Sequence, residues 1–291
     1  MALPPGLPVV DHHCHLSPSG EGVAAARRFR AAGGTHLFLA TQNYSGKVPR
    51  SLEEYRDQFE TTEALARRVA EDARVVVYPV VAPYPVDLVG AAESLGIGPA
   101  LELHRSAIDL AGEWVRERRA VALGEVGRPH FAVPPDIADA ATQAFRYALE
   151  VARESHCPVV VHSADLDAGG YLDLATMAAR AGVDARRVVK HYARHRIAPA
   201  ERASVTPSFL ARRDLVREVL HDPGPWFLET DFLDDPGRPG AVLDLATVPR
   251  RANQIASGAP GDTDRLYVPF VEAVEQVYGF RPEAPAREGG P

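Results

Sequence analysis

Short apolar, β-branched runs alternate with longer segments of helical period along most of the chain, and no other feature of the sequence restricts the fold as strongly. The runs fall at residues 8–15, 35–41, 74–82, 120–127, 158–163, 187–192, 203–208 and 225–232, which predicts eight strands. Helices are expected at 23–32, 51–71, 85–119 with a break between Gly96 and Pro99, 137–155, 171–181 and 214–221. Strands that are apolar on both faces suit a parallel sheet covered by helices on each side. Eight βα units in about 270 residues fit a closed (β/α)8 TIM barrel better than an open doubly wound sheet. The expected fold class is therefore α/β, with one TIM-barrel domain over residues 1–280 and a disordered tail at 281–291, where periodicity is lost.

A chain of 291 residues can bury enough surface to fold without covalent staples. Its two cysteines, Cys14 and Cys157, exclude a disulfide scaffold and point to a reducing cytoplasm. Residues 1–10 lack the basic and apolar pattern of a signal peptide, and no apolar run is long enough for a membrane span. The expectation is a cytoplasmic protein with neither a membrane nor an obligate protein partner. A formal net charge of −7 disfavours a protein that coats nucleic acid by positive charge. The eleven histidines are the one compositional hint of chemistry, and their positions carry it further.

His13 and His15 end the first expected strand, Glu125 the fourth, His162 the fifth, His191 the sixth and Asp231 the eighth. These are the ends at which a βα barrel builds its active site. Side chains alternate along a strand, so residues 13 and 15 point one way while His12 and Cys14 point the other. Four imidazoles and two carboxylates converging in this way suit two divalent cations, zinc in the first place, with magnesium or manganese as alternatives. A carboxylate ending a buried apolar strand is costly unless it is paired or metal-bound. Glu125, flanked by Gly124 and Gly127, is the candidate bridging ligand. Asp231 is the candidate terminal ligand and the group that takes a proton from activated water.

Asp11-His12-His13-Cys14-His15-Leu16, Gly124-Glu125-Val126-Gly127, Pro158-Val159-Val160-Val161-His162-Ser163, His191 and Glu229-Thr230-Asp231 occur in order from residue 11 to 231. Together they resemble the TatD-related metal-dependent hydrolases (TatD DNase-like) of the amidohydrolase superfamily. The resemblance implies a βα barrel with a binuclear metal centre that hydrolyses phosphodiester bonds, typically as a deoxyribonuclease. It implies His13, His15, Glu125 and Asp231 as ligands of one metal, and Glu125, His162 and His191 as ligands of the other. The surroundings depart from the family pattern, as expected of a divergent branch. Gly-Leu-Asp after the fourth-strand glutamate is replaced by Gly127-Arg128-Pro129-His130. No arginine follows His162 at two residues' distance, and Tyr192-Ala193-Arg194-His195-Arg196 replaces a small polar loop.

Arg128, His130, Arg194 and His195 lie just beyond ligand strands and are the candidate substrate contacts; solvated loops or salt bridges to carboxylates such as Asp165 are the alternative. The expected reaction is attack by a metal-activated hydroxide on a small-molecule or nucleic-acid phosphodiester, with Asp231 and Glu125 as the catalytic carboxylates. Hydrolysis of a small amide, ester or lactone is the alternative, and a non-catalytic metal-binding barrel the second. Lys190 precedes His191 and should face away from the site, against a bridging role. His12 and Cys14 should pack in the interior, and no chemical role falls to His36, His104, His156 or His221. Tyr44, Tyr84 and Phe131 sit on expected loops, where they could stack on a base or cover a core edge.

Overall fold

A computed structural model describes residues 3–235, 237, 238, 240–259 and 261–283, so residues 284–291 of the expected tail lie outside the described residues. Strands and helices alternate along it in the order anticipated. The strands are β1 Val10–His15, β2 His36–Ala40, β3 Val76–Val81, β4 Ala122–Gly127, β5 Val159–His162, β6 Val188–Ala193, β7 Thr206–Leu210, β8 Phe227–Glu229 and β9 Phe232–Leu233. The helices between them are α1 Val23–Ala31, α2 Leu52–Ala73, α3 Pro85–Leu95, α4 Ile97–Arg116, α5 Pro135–Glu154, α6 Ala168–Ala181 and α7 Arg213–Val219. Three further helices follow, α8 Thr247–Ala256, α9 Asp262–Arg265 and α10 Ala273–Tyr278. The sequence reading places no element in this last stretch, where the apolar period is short and interrupted by glycine and proline.

Two expected strands differ from the observed ones for a backbone reason. Ala203 and Ser204 adopt left-handed φ values of 47° and 67°, so the chain turns there and β7 begins only at Thr206. The expected eighth strand is split into β8 and β9, because Asp231 has φ 49° and breaks the extended run.

The chain packs as two compact units, one of residues 1–39, 65–78 and 208–291 and one of residues 40–64 and 79–207. In the first unit β1 pairs in parallel with β2 and with β9, and β7 with β8. Its core is built from Cys14, Leu16, Phe29, Leu37, Leu39, Val69 and Leu245. In the second unit β3, β4, β5 and β6 pair in parallel in chain order. Every residue of β1, β2, β4 and β7 is buried, which is the two-faced burial read from their apolar runs.

Helix α5 shows how the second unit's outer layer is encoded. Ile137, Ala140, Ala141, Ala144, Phe145, Ala148, Leu149 and Ala152 recur at helical spacing, and all are buried in a core that includes Trp114 of α4. Pro135 opens the helix at a position where a missing N–H costs nothing. Helix α6 is delimited just as locally, with the Asp167 carboxylate accepting from Gly170 N–H at 2.9 Å at its start and left-handed Gly182 at its end. In the pairing of β4, β5 and β6, Gly127 lies opposite His162 and Val161 opposite Lys190.

Candidate metal sites

In the first unit, β1 presents His13 and His15 with their Nε2 atoms 3.1 Å apart. Asp231 Oδ1 lies 3.7 Å from the first and 3.6 Å from the second. Three donors on a tetrahedral cation with bonds of about 2.0–2.1 Å would lie about 3.3–3.4 Å from one another, so this triad fits a divalent metal and leaves a coordination position for a further ligand. His13 and His15 are buried, while the Asp231 side chain keeps 16% of its surface exposed and can exchange protons with solvent.

A buried carboxylate sets this geometry. Asp11 Oδ1 accepts from Thr230 N–H at 3.0 Å and from His13 N–H at 3.2 Å, and Oδ2 accepts from the Thr230 hydroxyl at 2.6 Å. Asp231 N–H donates to the His13 carbonyl at 2.9 Å. The end of β1 is thereby tied to the residues that carry Asp231. Burial pushes the Asp11 carboxyl up to about 8, against the opposing effect of these hydrogen bonds. The Cys14 thiol is held well above its usual range by burial and by the carboxylates of Asp11, Asp231 and Asp234. Its Sγ points at the Phe38 carbonyl, 3.6 Å away, so it is a packed thiol rather than a thiolate ligand.

The second unit holds a triad of Glu125, His162 and His191. Glu125 Oε1 lies 2.6 Å from His191 Nε2 and 2.9 Å from His162 Nδ1, and the two imidazole nitrogens are 3.2 Å apart. Burial alone would raise the Glu125 carboxyl, but the charges of His191 and His162 and their hydrogen bonds outweigh it and hold the group well below the usual carboxylate range. Burial lowers the His162 imidazole, and Glu125 opposes this only in part. Metal binding requires the carboxylate ionised and the imidazoles neutral. The donor set, one buried carboxylate with one buried and one partly buried imidazole at strand ends, fits a divalent cation as the first triad does.

The flanking glycines serve packing between strands. A Cβ on Gly124 would lie 2.7 Å from Val160 Cβ, and one on Gly127, whose φ is 134°, only 2.2 Å from the His162 carbonyl oxygen. Small residues around Glu125 therefore let β5 approach β4 closely.

The remaining predicted residues fall in several places. Arg128 donates to Asp173 at 2.8 Å and lies against Met177 Sδ. Arg194 is paired with Asp165, and His195 Nε2 lies 3.7 Å from the same carboxylate. The salt-bridge alternative thus describes both arginines. His130 is placed otherwise, with Nδ1 2.8 Å from His162 Nε2. The Lys190 ammonium donates to the carbonyls of Ser163 and His191. His12 stacks on Phe227 at 3.9 Å and bonds the Tyr278 hydroxyl at 2.7 Å, a packing role.

Two participants are absent from the residue list drawn from sequence. The Tyr84 hydroxyl lies 3.2 Å from His162 Nε2, although the sequence reading gives Tyr84 only stacking or covering roles. Its position just after the third strand is the same signal that singles out the other site residues. Asp11 is the second, two residues before His13, from whose N–H it accepts.

Comparison with known proteins bears on the family and the fold. The family model described as TatD related DNase matches residues 10–279. An uncharacterized protein of Methanocaldococcus jannaschii is 27% identical over 282 residues, covering 94% of this chain and 96% of that protein. Among solved structures, a TatD-like protein from Archaeoglobus fulgidus superposes with a TM-score of 0.64 at 14% identity, covering 93% of this chain and all of that one. A mutant of a PTE-like lactonase from Deinococcus radiodurans superposes with a TM-score of 0.57 at 16% identity, covering 94% and 96%. The fold class is that of the TIM-barrel metallo-dependent hydrolases.

Proposed function

Because the chain belongs to the TatD related DNase family, whose members are metal-dependent hydrolases, we propose that it hydrolyses phosphodiester bonds with two divalent cations, one held by each triad. The observation that carries this reading is the pair of carboxylate and imidazole triads at strand ends of a chain matched along nearly its whole length. When bound, the cations supply the positive charge that lowers the pKa of water and polarises the scissile phosphoryl oxygen. His13, His15 and Asp231 would hold one cation, and Glu125, His162 and His191 the other. Asp231, the partly exposed member of its triad, accepts the proton of the attacking water and returns it to the leaving oxygen. Its backbone N–H bond to His13 and the Asp11 anchor of Thr230 keep it in place during that exchange.

A second reading, hydrolysis of a small ester, lactone or amide, is favoured by one observation. Arg128 and Arg194, the two arginines predicted to hold an anion, already face Asp173 and Asp165. A neutral carbonyl substrate needs no such cation. The test is metal analysis of purified protein with assays on bis-p-nitrophenyl phosphate, single-stranded DNA and a lactone panel. The phosphodiesterase reading expects turnover that is lost with chelator, restored by divalent metal, and reduced about 100-fold or more by Asp231→Asn. Turnover of lactones or amides with none of phosphodiesters would establish the second reading. Metal binding without turnover of any substrate would leave a binding barrel.

A further inference from the structure

We propose that His130 is a positioning residue of the second triad, holding the His162 ring so that Nδ1 faces the metal. The proposal rests on the reading of Glu125, His162 and His191 as metal ligands. It starts from the fact that both nitrogens of His162 are engaged, on opposite sides of the ring. Nδ1 faces Glu125 at 2.9 Å and His191 at 3.2 Å, whereas Nε2 faces His130 Nδ1 at 2.8 Å and the Tyr84 hydroxyl at 3.2 Å.

A neutral imidazole carries one proton. If the Nδ1 lone pair is committed to a cation, the proton sits on Nε2, which must then donate. His130 Nδ1 is the nearer acceptor and the Tyr84 oxygen the farther. Both rings meet His162 edge-on, with centroids 5.0 and 4.9 Å from it and interplanar angles of 72° and 75°. The two contacts therefore select the tautomer and also limit rotation of the ring. An outer hydrogen bond of this kind raises the basicity of the ligand nitrogen and fixes its direction.

The loop after β4 is built to deliver that acceptor. Arg128 N–H donates to the His162 carbonyl at 2.9 Å, tying the loop to the strand end that bears the ligand. The Arg128 guanidinium is anchored on α6 by Asp173 and Met177, and Pro129 restricts the backbone between that anchor and His130. Phe131 packs edge-on against the His130 ring, 5.1 Å between centroids. His130 itself is exposed, so its substitution leaves the core intact.

The experiment is a Co2+ titration of the full-length protein followed by visible absorption and by competition with a chromophoric chelator. His191→Ala identifies which binding event belongs to the second triad. His130→Ala and His130→Phe are expected to weaken that event about 10- to 100-fold and to leave the other unchanged. The phenylalanine variant retains a ring against His162 without the acceptor, which separates the hydrogen bond from packing. His130→Asn, whose Oδ1 can accept from Nε2–H, is expected to restore affinity to within about threefold of wild type. Unchanged Co2+ affinity in both the alanine and phenylalanine variants overturns the proposal, and a raised KM alongside it makes His130 a substrate contact. If His191→Ala alters no Co2+ binding event, the triad reading itself fails and takes this inference with it.

Discussion

Replacing Asp11 with alanine is expected to cost about 3–4 kcal/mol of folding stability. The side chain is fully buried and receives three hydrogen bonds, two from Thr230 at 3.0 and 2.6 Å and one from His13 N–H at 3.2 Å. Alanine leaves those donors in a region without water, and each buried donor that loses its partner costs about 1–3 kcal/mol. The longer His13 contact contributes least. The Thr230 hydroxyl can turn, since it also accepts from Phe232 N–H, which places the sum near the lower part of that range. Measured against a total stability of about 5–15 kcal/mol, the loss is a large fraction. Asp11→Asn is the control. Its carbonyl can accept from both N–H groups, its amide can donate to the Thr230 oxygen, and it removes a carboxyl whose ionisation burial disfavours, so no loss of stability is expected. Urea denaturation at neutral pH measures both variants, with an unchanged m-value showing that stability alone has moved. An alanine variant within 1 kcal/mol of wild type, or an asparagine variant as unstable as the alanine one, would refute the clamp.

Burial pushes His104 down to about 4 from an ordinary 6.5, so an unfolded chain takes up a proton there that the folded chain refuses. Stability should fall as pH drops from about 6.5 to about 4, by roughly 2 kcal/mol between pH 7.5 and 5, and His104→Leu should remove that portion of the slope; equal slopes in urea melts would contradict it. Gly127→Ala places a methyl 2.2 Å from the His162 carbonyl oxygen at a φ of 134°, and should cost at least about 2 kcal/mol in thermal or urea unfolding. A neutral outcome would mean that β4 and β5 are less closely packed than their register requires.

Much of the architecture was legible because burial on both faces leaves a direct mark on composition: the Val-rich runs at β5 and β6 could suit little else. The strand boundaries were less legible. At Ala203, Ser204 and Asp231 the backbone takes left-handed conformations that no glycine announces. The three C-terminal helices escaped for another reason, their apolar periods being too short to stand apart from the surrounding proline and glycine. At the site, position along the chain identified the carboxylates and imidazoles, but it could not say which cations were already neutralised. Arg128 and Arg194 look available on a sequence, and only the placement of Asp173 and Asp165 shows that both are paired.

By itself the sequence determined which side chains could meet, since alternation along a strand is a local geometric rule that puts His13 and His15 on one side of β1. Tertiary structure alone decided what each of those groups faces. The Asp11 hydrogen bonds to Thr230 join residues 219 positions apart, and the His162 contacts draw on loops after two different strands. Such pairings depend on how strand ends and loops are brought together in space, and a hydrogen bond a few tenths of an ångström longer would no longer select a tautomer or orient a ligand.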